Sequence, residues 1–211
     1  ETKKGHGMHY YELATLDIQM GKAADVAAGV EKFVAEALTG RLLGVWFSDI
    51  GALNQVLVLR EFKTLDELNQ ERARFAQAAN PFYAQEWLEH VSVDSYQGFP
   101  FLSEVETGAF GPAYEIRTYH MKHGGLPHVH AAWEAALPER TKLSKLTVVM
   151  SSLDGEPRIV NIWPYDSVNQ RSQVRADAVA QGIWPPKGGP QWLTNDMASL
   201  IAVPTKNSPL Q

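Results

Sequence analysis

The chain repeats itself at a displacement of 103 residues, and this duplication limits what it can fold into more than any other feature. Tyr11-Glu12-Leu13 returns as Tyr114-Glu115-Ile116, Val45-Trp46-Phe47-Ser48 as Val148-Val149-Met150-Ser151, and Arg72 as Arg175. Phe62-Lys63-Thr64-Leu65-Asp66-Glu67 returns as Tyr165-Asp166-Ser167-Val168-Asn169-Gln170. Near the end of each copy Glu86-Trp87-Leu88 matches Gln191-Trp192-Leu193 at 105, which puts two extra residues in the second copy's last loop. A period this long describes two duplicated domains, because solenoid repeats run ~20–50 residues. The pattern specifies an architecture and leaves the reaction open.

Each copy reads as strand, helix, strand, strand, helix, strand. In the first, Tyr10 to Met20 alternates and stops at Gly21, and Ala23 to Leu38 carries Val26, Val30, Phe33 and Val34 at helical spacing before Gly40. Leu43–Phe47 and Asn54–Phe62 read as strands about a turn at Asp49-Ile50-Gly51. A second helix starts at the capping-box pattern Thr64 to Glu67, mirrored by Ser167 to Gln170, and breaks at Asn80-Pro81. Alternation from Glu89 to Tyr96 closes the copy. The order is that of the split βαβ, ferredoxin-like unit, whose antiparallel sheet carries helices on one face and needs a cover for the other. The fold class expected is therefore α+β, two tandem ferredoxin-like (βαββαβ) domains whose sheets cover each other in an intramolecular pseudo-dimeric barrel. The division expected is an arm over 1–9, domains over 10–97 and 113–205, a Gly- and Pro-rich linker over 98–112, and a tail over 206–211.

Composition narrows the function classes. With 19 basic against 24 acidic residues and no basic run, nucleic acid and anionic membrane surfaces are poor partners. The absence of cysteine removes disulfides, thiolate metal sites and cysteine nucleophiles. Apolar stretches fall far short of the ~20 residues of a membrane helix, so no membrane insertion is expected and cytoplasm is the default location, a cleaved signal peptide aside. No phosphate-binding glycine loop, nucleophile elbow or metalloprotease helix is present.

These residues resemble the NIPSNAP family, small domains of the dimeric α+β barrel superfamily, over both copies. The family's opening pattern stands at Tyr114-Glu115-Ile116-Arg117-Thr118-Tyr119 and, more weakly, at Tyr11 to Leu16. Its Gly-x-Leu-Asn turn stands at Gly51-Ala52-Leu53-Asn54, and its Trp-x-Tyr-x-Ser strand end at Trp163-Pro164-Tyr165-Asp166-Ser167. Arg171 and Arg175 match the family's basic positions on the second helix, where the first copy offers Leu68 and Arg72. The resemblance implies a fold and a pocket. Family members are connected with mitochondria, vesicle transport and autophagy without a settled activity, and superfamily relatives include cofactor-free monooxygenases and haem enzymes.

Arg117, Tyr119, Asn54, Trp163 and Tyr165 are the candidate ligand-binding residues. Alternation puts Glu115, Arg117 and Tyr119 on one strand face and Ile116 on the other, so if Ile116 meets the helices the polar face looks into the barrel. There a guanidinium fork and aromatic rings suit an aromatic or carboxylate-bearing ligand. The plainer readings are inter-sheet pairing for Glu115 and Arg117, turn chemistry for Asn54, packing at the end of the sheet for Trp163 and Tyr165, and a solvated or inter-copy salt-bridge face for Arg171 and Arg175 with Asp177. His120, His123, His128 and His130 form the one patch that suggests metal or haem. His128 and His130 diverge if helical, leaving His120 and His123 as weak ligands without a carboxylate beside them. No cofactor is expected, with haem a third reading. The first reading is a small-molecule pocket in the barrel interior, binding only or supporting cofactor-independent oxygenase- or isomerase-type chemistry. The second is an interaction or scaffold protein with a filled barrel, and a homo-oligomer built on the internal pair is compatible with either.

Overall fold

The computed structural model describes residues 7–211; the part of the expected arm before Gly7 lies outside the described residues. In the first copy β1 (Tyr10–Ile18) leads to α1 (Ala23–Ala35), β2 (Arg41–Ile50), β3 (Gln55–Phe62), α2 (Leu65–Gln77) and β4 (Leu88–Gly98). The second copy repeats the order with β5 (Ala113–Met121), α3 (Leu126–Arg140), β6 (Val148–Ser152), β7 (Arg158–Tyr165), α4 (Val168–Ala180) and β8 (Leu193–Pro204).

Local chemistry explains the starts of the second helices. Thr64 Oγ1 accepts from the Glu67 N–H at 3.2 Å, and Ser167 Oγ accepts from the Gln170 N–H at 3.0 Å. The return bond of each box reaches one residue further back than expected: Glu67 accepts from the Lys63 N–H and Gln170 from the Asp166 N–H. Both copies make the same choice, which satisfies an extra donor ahead of the helix. Strand β2 runs longer at both ends than Leu43–Phe47, because Arg41 and Leu42 pair with Glu61 and Arg60 of β3 and its far edge pairs with β8, from Trp46 opposite Pro204 to Ile50 opposite Ile201. Where α1 meets the Pro81–Tyr83 turn, Phe82 and Tyr83 take φ of 53° and 50°, and Gly29 lets that backbone approach.

The eight strands form one closed antiparallel barrel in the order β1-β3-β2-β8-β5-β7-β6-β4. Two seams join the copies, β2 with β8 and β4 with β6, the latter only from Tyr96 to Gly98 opposite Met150 to Ser152. Both last strands outrun their seams. The first half of β8, from Asn195 to Ser199, keeps β5 on one side and is exposed.

Three apolar clusters follow from this closure. The barrel interior holds Tyr11, Leu13, Trp46, Leu57, Leu59, Tyr96, Tyr114, Ile116, Met150, Val160 and Ile162, drawn from both copies, with Val105 of the linker and Leu210 of the tail packed in. Outside it, α1 packs on Ala14, Leu16, Val45, Val56 and Val58. Over the second copy, Val129, Trp133 and Leu137 of α3 and Val174 of α4 pack on Tyr119, Met121, Val149, Ile159, Trp163 and Tyr165. Ile116 thus faces the interior, and Glu115, Arg117 and Tyr119 face the helices. The expectation of a polar face inside the barrel is corrected: side chains fill the interior, and a closed barrel of this size leaves room for little else.

Candidate functional site

The polar layer of the second copy lies between the outer face of β5, β7 and β8 and the helices α3 and α4. Its hub is Glu115, fully buried on β5. Arg171 on α4 grips this carboxylate with two nitrogens, Nη2 at 3.0 Å and Nε closer still. Arg117, two residues along β5, donates from Nη1 to the same carboxylate and from Nε to Tyr119 Oη. Ser199 on β8, opposite Arg117 in the ladder, adds its hydroxyl at 3.2 Å. Burial alone would raise the Glu115 pKa; the Arg171 and Arg117 donors outweigh it and hold the carboxyl down at about 2.

A third guanidinium group sits deeper. Arg140, at the end of α3, is 2% exposed and has no carboxylate at ion-pair distance among the described residues. It donates to Ser144 Oγ at 2.7 Å and Tyr165 Oη at 3.2 Å. Its cation lies 4.3 Å from the centre of Trp163 and 5.7 Å from that of Trp184, which accept it electrostatically. Trp133 completes the aromatic wall, 4.8 Å from Trp184. Trp163 is fixed in turn by Asn161, whose Oδ1 accepts from the indole N–H at 2.7 Å. The last cation is Arg175, one helical turn beyond Arg171. It is half-buried and, among the described residues, donates to no protein acceptor. Burial lowers its pKa, and the nearby Arg117 and Arg171 push the same way.

Arg117, Tyr119, Trp163 and Tyr165 are therefore brought together, in this layer and outside the barrel. Arg171 belongs with them: it binds Glu115 of its own copy, while Asp177 accepts from Gln173 instead. Asn54 stands apart, in the first copy's β2–β3 turn, where its φ is 56° and its carbonyl accepts from the Ile18 N–H at 2.9 Å. Arg140 is the residue that sequence reasoning missed. The one signal for it was an arginine at the end of an apolar helix where the first copy has Ala37.

The histidines diverge. His120 Nδ1 lies 3.3 Å from Asp196, and His123 is exposed. His128 stacks on Trp192 at 4.2 Å and His130 meets Phe99 edge-on at 4.3 Å. Among the described residues no three His, Asp or Glu converge as metal ligands. A cleft of about 790 Å³ between the linker and α3 is rimmed by Glu104, Glu106 and Glu134 against the single Lys145, an acidic setting unlike this layer.

The first copy shows what the layer looks like when its charges balance. Glu12, the counterpart of Glu115, accepts from Arg60 at 2.6 Å, and Arg60 also donates to Glu71 at 2.6 Å. Arg74 pairs with Glu71 at 2.9 Å. Ala14, Leu16, Ala37 and Leu68 stand where the second copy has Arg117, Tyr119, Arg140 and Arg171.

A duplicated ferredoxin-like barrel with a polar helix–sheet layer in each half defines the class of protein. Comparison with known proteins fixes the family: the NIPSNAP family model matches residues 11–92 and 114–209, so the chain belongs to the NIPSNAP family. The NipSnap homolog of Dictyostelium discoideum is 28% identical over 178 residues, covering 82% of this chain and 77% of that protein. Among solved structures, an anthrone oxidase-like protein superposes with a TM-score of 0.67 at 12% identity, over 93% of this chain and 91% of that one. A putative monooxygenase from Lactobacillus acidophilus gives 0.67 at 11% identity, over 93% and 94%. A mutant chlorite dismutase from Candidatus Nitrospira defluvii gives 0.57 at 10% identity, over 93% and 90%. At such identities these three share the fold. No described helix is long and apolar enough to cross a membrane.

Proposed function

We propose that this NIPSNAP protein binds a small organic molecule in the layer beneath α3 and α4 of the second copy, and that the first copy keeps no equivalent site. One observation carries the reading: in the second copy Glu115 binds Arg117 and Arg171 while Arg140 and Arg175 have no carboxylate at ion-pair distance among the described residues, whereas the first copy holds Arg60 and Arg74 against Glu12 and Glu71. Uncompensated buried charge costs several kcal/mol, and a fold keeps it where something else supplies the partner. The exposed flank of β8 beside Arg117 gives the layer a route to solvent.

Such a site suits cofactor-independent chemistry of the oxygenase or isomerase type. Fixed guanidinium groups in a partly dry layer stabilise an oxyanion as it develops on a bound substrate, with no reorganisation at the moment of reaction. The monooxygenase and anthrone oxidase-like neighbours are compatible with this through their fold. The filled barrel interior favours a second reading, an interaction protein whose barrel is only a support.

Intrinsic fluorescence separates the two, because Trp133, Trp163 and Trp184 line the layer. A panel of aromatic acids, phenols and quinones should quench it saturably. Trp163→Phe should weaken the response and leave the melting temperature within a few degrees. No saturable response from any compound at millimolar concentration would leave the support reading standing.

A further inference from the structure

The internal two-fold of the chain states what the layer lacks. In the first copy Arg72 on α2 reaches the β6–β7 turn of the other copy and pairs with Asp154 at 3.2 Å. At the displacement of 103, Arg72 becomes Arg175 and Asp154 becomes Gly51. The reciprocal turn is built the same way, since the Ile18 N–H donates to Asn54 O as the Met121 N–H donates to Pro157 O. It also reaches across: a Cβ on Gly51 would lie 3.0 Å from Leu200 Cβ and 3.4 Å from Ser199 O, beside the strand that faces Arg117. So the Gly51–Asn54 turn arrives at the second copy's layer without a carboxylate of its own, Asp49 standing two residues earlier at the end of β2.

A second acid is missing by the same operation. Glu71, which binds Arg60 and Arg74 in the first copy, becomes Val174. Two protein carboxylates of the first copy's layer thus have no counterpart in the second, where Asp177 stands in place of Arg74 and accepts from Gln173. Arg117 and Arg171 are held in place by Glu115, and Arg175 has all its donors free of protein acceptors among the described residues.

We propose that the ligand of this layer is an organic acid whose anionic group lies on Arg175, between α4 and the Gly51–Asn54 turn, in the place Asp154 takes on Arg72. This rests on the small-molecule reading above and names the class of ligand. A dicarboxylate suits the two cations, with one acid on Arg175 and the second toward Arg117. The organic body then lies toward Tyr119, whose hydroxyl binds Arg117. Guanidinium groups suit this task because their fixed donor forks match carboxylate geometry.

The test uses benzamide, benzoate and phthalate as probes on the full chain, read by calorimetry and tryptophan quenching. Phthalate should bind tighter than benzoate and benzoate tighter than benzamide, with affinity falling as salt rises. Arg175→Gln should weaken phthalate by about tenfold or more, the loss of a charge-assisted hydrogen bond. Arg72→Gln, the matched change in the first copy, should leave binding unchanged. Should Arg175→Gln melt early, Arg175→Lys serves instead, keeping the charge and losing the fork. Equal binding of benzamide and the acids, indifferent to Arg175, would overturn the acid and leave the small-molecule site. No binding of any probe at millimolar concentration would overturn both. Inorganic phosphate that binds as tightly as phthalate would overturn the organic body and keep the anion site.

Discussion

Glu115 shows at the scale of one residue how the layer is held. Its carboxyl titrates near 2 in the folded chain against 4.5 as a free side chain, because Arg171 and Arg117 outweigh the cost of burial. A lowered folded value gives stability that is present above the unfolded pKa and lost as pH falls toward the folded one. Denaturant midpoints should therefore fall between about pH 4.5 and pH 2, and Glu115→Gln should flatten that part of the profile while lowering the midpoint at neutral pH. An unchanged slope in the variant would show that other carboxylates govern acid unfolding. Alternation along Tyr114 to Tyr119 made it legible that Glu115, Arg117 and Tyr119 share a face. It could not say which face, since a period of two fixes parity and not sign. Ile116 had a credible home on either side, as both sides of this barrel are apolar. Nor could sequence pair Arg72 with Asp154, which meet only once the barrel has closed.

At the scale of elements, the strand and helix order was readable because each copy vouched for the other, down to the shared caps at Thr64 and Ser167. The contact of α1 with the Pro81–Tyr83 turn was not, because it rests on two residues at positive φ that carry no glycine signal. Gly29 is the price of that approach: a Cβ there would lie 2.5 Å from Phe82 O and 2.9 Å from Tyr83 O, both backbone atoms. Alanine ordinarily helps a helix by up to ~1 kcal/mol over glycine. Here overpacking of ~1–3 kcal/mol should win. Thermal melts should place Gly29→Ala below the parent chain; a rise would show that the turn can yield.

For the whole molecule, the decisive fact is that the interior cluster belongs to neither copy alone. Tyr11 and Leu13 of one half pack in the same cluster as Tyr114 and Ile116 of the other, and Trp46 lies 5.2 Å from Tyr114. Neither half can lose its structure without exposing the other's apolar face. Calorimetry should therefore record one transition with equal calorimetric and van't Hoff enthalpies. Two resolved transitions would mean that each half holds its own core.

The shared interior also ties the two halves' histories together unevenly. On β1, β3, β5 and β7 inward positions have kept like for like, with Tyr11 against Tyr114, Leu13 against Ile116, Leu57 against Val160 and Leu59 against Ile162. Several outward positions have exchanged chemistry, with Val58 against Asn161, Arg60 against Trp163, Ala37 against Arg140 and Glu71 against Val174, although Glu12 still answers Glu115. A change inside must be tolerated by the opposite half, whereas a change outside is answered only by its own helices. The barrel thus acts as a fixed inheritance around which two independent surfaces drift, and new specificities should be easiest to select beneath the helices of one half at a time.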